Sequence, residues 1–263
     1  MPKPEESLHG EKMRKAALVT VLLILASNTA WAQFTESDPL DSAGFSQERL
    51  GRIDSVINAE IAKGKIPGAV ALVARNGQLA YFKSFGFADI DAQTPMQKDN
   101  IFRLASMTKA ITSVGAMILY ERGLFQLNDP VSKFIPEFAD MTVVSEVDTN
   151  GDVSATVPAT EQIKIIDLFT HSSGISYPFA SNNLQKTYVD AGVIDGLTSK
   201  DITLAAQMEL LAQQPLLFEP GSDYVYGLGL DLLGYLIEVV SGKSLERFFS
   251  EEIFTPLNMH DSY

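Results

Sequence analysis

Along residues 46–64 the apolar positions Leu50, Ile53, Val56, Ile57 and Ile61 fall three or four apart, with polar residues between them. That spacing lines one face of a helix, and Gly64 and Pro67 mark its end. The period then changes. Residues 69–75 and 79–86 are rich in strand-forming side chains and flank Arg75-Asn76-Gly77-Gln78; Asn-Gly between two such runs predicts a hairpin. The first run is apolar almost throughout and predicts a strand covered on both faces. Residues 102–123, FRLASMTKAITSVGAMILYERG, read as a buried helix of about four turns, with small residues near its start and Gly123 as its stop.

Beyond this helix the pattern is more broken. Residues 127–138 carry two prolines and read as a loop, and residues 147–162 are polar and turn-rich. Asp148, Asn150 and Asp152 resemble a calcium loop in outline, but no glutamate follows at the required distance, so a plain turn is the better reading. IKIIDLFTHSSGISY begins a short helix that breaks at Gly174, and residues 178–200 read as a polar surface excursion. ITLAAQMELLAQQPL is an amphipathic helix; after it come a loop, a long apolar helix ending at Gly242, and a last helix. Only 69–75 and 79–86 read as strands, and there are no internal repeats.

Composition narrows the function classes. Hydrophobic residues make up 46% and charged residues 20% of the 263, enough apolar content for a sizeable core. The formal charge of −13 argues against nucleic acid and anionic membrane surfaces as partners. There is no cysteine, hence no disulfide and no thiol chemistry. The three histidines, His9, His171 and His260, show no ligand spacing, so neither a metal nor another cofactor is expected.

The N-terminal region reads as an export signal. In MRKAALVTVLLILASNTAWA, residues 13–32, Arg14 and Lys15 precede an apolar run and Ala30-Trp31-Ala32 forms a small-residue cleavage site. The run from Ala16 to Ala26 is short for a membrane span; a retained anchor is the rival reading. Residues 1–12 read as an upstream extension, 33–45 as a loose segment and 46–263 as the folded domain. The expectation is a periplasmic or secreted protein without a membrane anchor after cleavage.

The chemistry turns on Ser106 and Lys109. A serine needs a base. No G-x-S-x-G elbow occurs in the sequence, which leaves a Ser-His-Asp triad without its usual frame; His171, in THSSG, is expected to tie down a loop by hydrogen bonds. S-x-x-K occurs once, as Ser106-Met107-Thr108-Lys109. Residues three apart on a helix share a face, so a serine and a lysine at this spacing can exchange a proton. Burial and the positive end of the helix dipole both penalise an ammonium, which predicts a neutral Lys109. The Ser106 amide at the helix start is a candidate oxyanion donor. Spacing alone leaves the other reading open, a helix-capping serine beside a lysine that reaches solvent.

Four stretches in order widen the picture: IPGAVALVARNGQLAYFKSFGFAD, IFRLASMTKAITSVGAMILYERGLFQLNDPVSKFIPEF, IKIIDLFTHSSGISY, and FEPGSDYVYGLGLDLLGYLIEVVSGKSLERFFSEEIFTPLNMHDS. Together they resemble the serine β-lactamase and penicillin-binding-protein superfamily, on the side of the class C β-lactamase-related esterases. The resemblance implies an α/β (α+β) fold, an antiparallel sheet flanked by helices plus a helical region. It implies Ser106 as the acylated nucleophile and Lys109 as proton relay. The family's Y-x-N motif follows a Pro-Gly pair; here Pro220-Gly221 precedes Tyr226, which the resemblance makes a further proton carrier, while Tyr224 is a neighbour. The asparagine position is Leu228, a substrate-contacting position by the same resemblance, and its apolar character points toward esterases. The third family motif, K-T-G or H-x-G on a strand, does not occur. FTPLNMHDS resembles a mid-domain stretch, so the chain is expected to be an incomplete member, poorly folded and inactive unless a partner or a downstream segment completes the sheet. The expected function is an exported serine hydrolase acting on small ester, amide or β-lactam substrates through an acyl-enzyme, carboxylic esters first. β-Lactam or D-amino-acid peptide hydrolysis is the alternative. A non-catalytic binder of peptidoglycan peptides or proteins is the reading from another class.

Overall fold

A computed structural model of the protein describes residues 35–36 and 44–263. The export segment expected at residues 13–32 lies outside them, as does most of the segment 33–45. The chain divides at Phe102/Arg103 into two units, and the candidate chemistry lies in the second. Among the described residues no helix is long and apolar enough to cross a membrane.

The described residues of the first unit form a small sheet and one helix. Strand β1 is Thr35–Glu36. Helix α1 is Gln47–Ala62, begun by Ser46, whose Oγ accepts the Arg49 N–H at 3.3 Å. Strands β2 (Gly68–Arg75) and β3 (Gln78–Asp89) form the antiparallel hairpin that the Asn-Gly pair predicts. Asn76 and Gly77 have φ of 52° and 74°, the pair of left-handed residues a tight two-residue hairpin requires. The sheet order is β1-β3-β2; β1 runs parallel to β3, and the short β4, Thr94–Pro95, adds to β3 antiparallel. Helix α1 packs on β3, and Asp54 on that helix bonds both the Tyr81 hydroxyl and the Lys83 ammonium. The expectation that β2 is covered on both faces is corrected: Leu72 at its centre is 48% exposed. Among the described residues β2 pairs only with β3 and so forms an edge.

The second unit is helical around one central element. Helix α2 is Thr108–Glu121; residues 102–107, expected within it, precede it, and 105–107 form a 3₁₀ turn. The proline-containing stretch folds into two 3₁₀ turns, Val131–Lys133 and Pro136–Phe138. Strands β5 (Thr142–Val147) and β6 (Val153–Pro158) form a hairpin that the sequence pattern does not announce. Within it only Val143 is buried, where it bridges Leu216, while Val147 and Val157 are exposed, so no apolar face marks the pair in the sequence. The Asp148 carboxylate accepts the Asn150 and Asp152 amides at 2.8 and 3.0 Å and holds the turn.

Helix α3, Ile165–Thr170, stops earlier than Gly174, because His171 already takes a left-handed φ of 57°. The stretch 178–200 is also no mere surface excursion: it carries helix α4, Gln185–Asp190, and buries Leu184, Tyr188 and Val193. Those apolar residues are too sparse to announce a helix. Helix α5 is Leu204–Ala212, α6 is Gly229–Ser241 and α7 is Leu245–Phe249, with a π turn at Ser250–Phe254. Helix α6 is the centre, packed against α2, α3, α5 and α7. It buries Leu230, Leu232, Leu233, Leu236 and Ile237. Each such side chain contributes about 1.5–3 kcal/mol on burial, which outweighs the ~1 kcal/mol that each of Gly229 and Gly234 costs a helix.

Candidate active site

Ser106 lies in the 3₁₀ turn Ala105–Met107 that runs directly into α2, and it is exposed. The residue before it, Ala105, has φ of 46°, a left-handed conformation that costs a residue with a Cβ of order 1–3 kcal/mol. One turn on, Lys109 Nζ lies 3.4 Å from Ser106 Oγ and donates to Tyr177 Oη at 2.9 Å. Tyr226 Oη lies 2.7 Å from the same serine oxygen. The lysine ammonium sits 4.9 Å from the centre of the Tyr226 ring and 5.5 Å from that of Tyr177. Ser106, Lys109 and Tyr226, named from the sequence, are therefore in contact, and Tyr177 joins them.

The two tyrosines arrive on neighbouring segments stitched together by backbone bonds. The segment after α3 runs from His171 to Tyr177; the segment before α6 runs from Gly221 to Leu228. Gly221 N–H donates to Ser172 O at 2.8 Å, Val225 N–H to His171 O at 3.0 Å, and Leu228 N–H to Ser176 O at 3.4 Å. Gly227 has no alternative in this pairing: a Cβ placed on it falls 2.0 Å from Ile175 O. Gly227→Ala is thus expected to push apart the two segments that carry Tyr177 and Tyr226. The expected cost is about 3 kcal/mol of stability. Urea unfolding checks this; an unchanged midpoint contradicts it.

Electrostatics assign different states to these groups. Burial alone lowers the Lys109 pKa, but hydrogen bonds to Tyr177 and Tyr226 outweigh it and the net shift is upward from 10.5. The neutral amine expected from burial at a helix start is corrected accordingly: two phenols around the ammonium favour its charge more than desolvation opposes it. For Tyr226 burial pushes upward, yet hydrogen bonds with Ser106 and Lys109, and the lysine charge, bring it below 10. Tyr177 moves the other way, because burial exceeds the help from Lys109. The two phenols are thereby set apart, one toward the anion and one held neutral, the pattern that separates a base from a hydrogen-bonding support. Asp231, in the first turn of α6, is raised to about 6 by burial against the pull of Lys109.

Leu228 needs correction. It is 1% exposed in the core of the second unit, so its side chain offers no surface to a substrate. The position follows the site tyrosine by two, and the turn into α6 directs it inward among the other leucines. Tyr177 is the residue that sequence reasoning missed. It lies 68 positions from Lys109 in a motif with no chemical signature; the one signal was a tyrosine three residues past a glycine that breaks the chain direction. Beside it, Phe179 stacks on the Tyr177 ring at 4.7 Å and is 56% exposed, giving the site an apolar wall. A separate polar hollow is lined by Asn150, Asp152, Asn183, Lys186 and Asp190. Its lining includes none of Ser106, Lys109, Tyr177 and Tyr226. Among the described residues no three His, Cys, Asp or Glu side chains are grouped to hold a metal.

Known proteins share this arrangement of chain to different extents. Esterase EstB of Burkholderia gladioli is 34% identical over 225 residues, covering 84% of this chain and 54% of its own length. Lovastatin esterase of Penicillium rubens is 32% identical over 213 residues, with 80% and 52% covered. Among solved structures, EstCE1, described as a hydrolase with promiscuous acyltransferase activity, superposes with a TM-score of 0.69 at 33% identity, covering 81% of this chain and 52% of its own. Simvastatin synthase LovD from Aspergillus terreus gives a TM-score of 0.65 at 30% identity, with 81% and 52% covered. The chain spans about half the length of the curated relatives it matches. The beta-lactamase family model matches residues 53–263, which take in the serine-lysine pair, both tyrosines and the helices that carry them, and the chain belongs to that family.

Proposed function

We propose that this protein is a serine ester hydrolase working through an acyl-enzyme on Ser106. The observation that carries the reading is the convergence on Ser106 Oγ, with Tyr226 Oη at 2.7 Å and Lys109 Nζ at 3.4 Å. Lys109 remains an ammonium and stabilises the Tyr226 phenolate. The phenolate takes the serine proton as Oγ bonds to the ester carbonyl carbon, giving a tetrahedral oxyanion. As that collapses, the carbon–alkoxide bond breaks and Tyr226 returns the proton to the departing alkoxide. Water then adds to the acyl-enzyme with Tyr226 taking its proton; the bond between Ser106 Oγ and the acyl carbon breaks, Tyr226 returns that proton to Oγ, and the carboxylic acid leaves and ionises in solvent. Tyr177 stays neutral and fixes the lysine.

Esters rank ahead of β-lactams on two grounds. The side chains nearest the serine are aromatic or cationic rather than amide, and the similar proteins above include two named as esterases. In the full-length protein, p-nitrophenyl acetate and butyrate are expected to turn over with higher kcat/KM than the chromogenic cephalosporin nitrocefin, with a burst of p-nitrophenol before the steady rate. Faster nitrocefin hydrolysis would reverse the ranking. Absence of both turnover and covalent adduct would favour a non-catalytic binder.

A further inference from the structure

His171 is conspicuous because it touches the chain on both sides of Tyr226. Its backbone carbonyl accepts the Val225 N–H at 3.0 Å, and its Nδ1 accepts the Gly227 N–H at 3.4 Å. The imidazole lies against the Tyr226 ring, centroids 4.7 Å apart at 49°, and meets Tyr224 edge-on at 6.0 Å. The residue is placed for this by its left-handed conformation at the end of α3, φ 57° and ψ 32°. One side chain and its own carbonyl therefore bracket the phenol from the two flanking amides and from the ring face.

We propose that His171 is the positioning residue for Tyr226: its Nδ1, accepting the Gly227 amide, holds the phenol oxygen in reach of Ser106. The proposal rests on the reading of Tyr226 as the proton carrier. The geometry fixes the tautomer, since Nδ1 must be unprotonated to accept an N–H, and the ring proton belongs on Nε2. Protonation would set an Nδ1–H against the Gly227 N–H and break the clasp. Titratable groups set against the ring are Lys109 from α2 and Tyr224 and Tyr226 from the segment before α6. On its own helix, Asp167 is engaged with the Lys164 amide and the Ser172 hydroxyl. Burial and then the charge of Lys109 push His171 below its ordinary 6.5, so the clasp is closed at neutral pH and opens as pH falls through that lowered value.

The test compares His171→Asn with His171→Ala in the full-length protein. Asparagine tolerates a left-handed backbone and puts an acceptor near the position of Nδ1, but it does not titrate. Wild type is expected to show, below pH 6.5, a downward break in kcat/KM in addition to the limb set by Tyr226. His171→Asn should keep neutral-pH kcat within several-fold and lack the lower break. His171→Ala should lose roughly 10²-fold in kcat, the scale of a ~1 Å misplacement, with KM little changed. Persistence of the lower break in His171→Asn overturns the proposal, as does an alanine variant with wild-type kcat or an asparagine variant as slow as alanine. If His171→Ala fails to fold, the fate of the break in His171→Asn decides alone. Wild-type protein that never acylates Ser106 overturns the functional reading and this proposal together. Acylation that needs Ser106 and Tyr226 but ignores His171 overturns only the proposal.

Discussion

Ser106→Ala is expected to abolish covalent labelling by a fluorophosphonate probe and to lower ester turnover by roughly 10⁴-fold or more, the scale seen when a nucleophile is removed from a machinery that acts as a unit. The alanine leaves no atom on which an acyl group can be carried, and neither Lys109 nor Tyr226 replaces it, because both act on the serine oxygen. The fold should be untouched. Ser106 is exposed, and its hydroxyl meets only Lys109 and Tyr226 among the contacts that hold the site, so stability should change by no more than about 0.5 kcal/mol. Mass spectrometry of the labelled wild type should place the adduct on the peptide containing Ser106. An adduct that survives in the alanine variant and maps to another serine would sink the assignment.

Tyr226→Phe is the second large effect, and Tyr177→Phe is its control. In the proposed mechanism Tyr226 accepts and returns the serine proton, so removing its hydroxyl should lower kcat roughly 10²–10⁴-fold, with KM altered little. Removing the Tyr177 hydroxyl takes one hydrogen bond from Lys109, worth about 1.5–3 kcal/mol for a charged partner, and should cost roughly 10–10²-fold. The pH profiles separate the two further. The Tyr226 phenol is lowered from 10 and its anion is the proposed base, so the wild-type rate should fall as pH drops through that lowered value. Tyr226→Phe should lose this limb, whereas Tyr177→Phe should keep it. Equal losses in the two variants, with the limb intact in both, would mean that proton transfer runs through Lys109 instead.

The parts of the site legible in the sequence were those set by local geometry. Ser106 and Lys109 are three apart, and any helical turn puts such residues on one face whatever surrounds them. Tyr226 is far along the chain, and only a resemblance carried by the Pro220-Gly221 context connected it to the serine. Nothing comparable marked Tyr177. The state of Lys109 was illegible for a physical reason: burial and a helix start are local facts that favour the neutral amine, but the balance is decided by two phenols delivered by distant segments. Leu228 misled because a motif position was equated with a surface, when the turn into α6 points it into the core. In the fold, the apolar helices and the Asn-Gly hairpin stood out by their periodicity. The hairpin of β5 and β6 did not, since each strand is six residues long and no apolar face marks the pair.

Gly115 gives the site an unexpected mechanical dependence. It lies on α2, the helix that Ser106 leads into, where a Cβ would meet Phe249 and Phe248 of α7 and Ile237 of α6, the helix that Tyr226 leads into, at 3.0–3.3 Å. The reacting oxygens thus ride on two rods that touch through a spot with no side chain of its own. A methyl group there would press on the ends of those side chains, which must give by a few tenths of an ångström well away from the reacting groups. A contact of 2.7 Å at the rod tips has little slack to absorb such a movement. The alignment of Ser106 with Tyr226 is therefore open to tuning from Gly115, a buried position away from both hydroxyls.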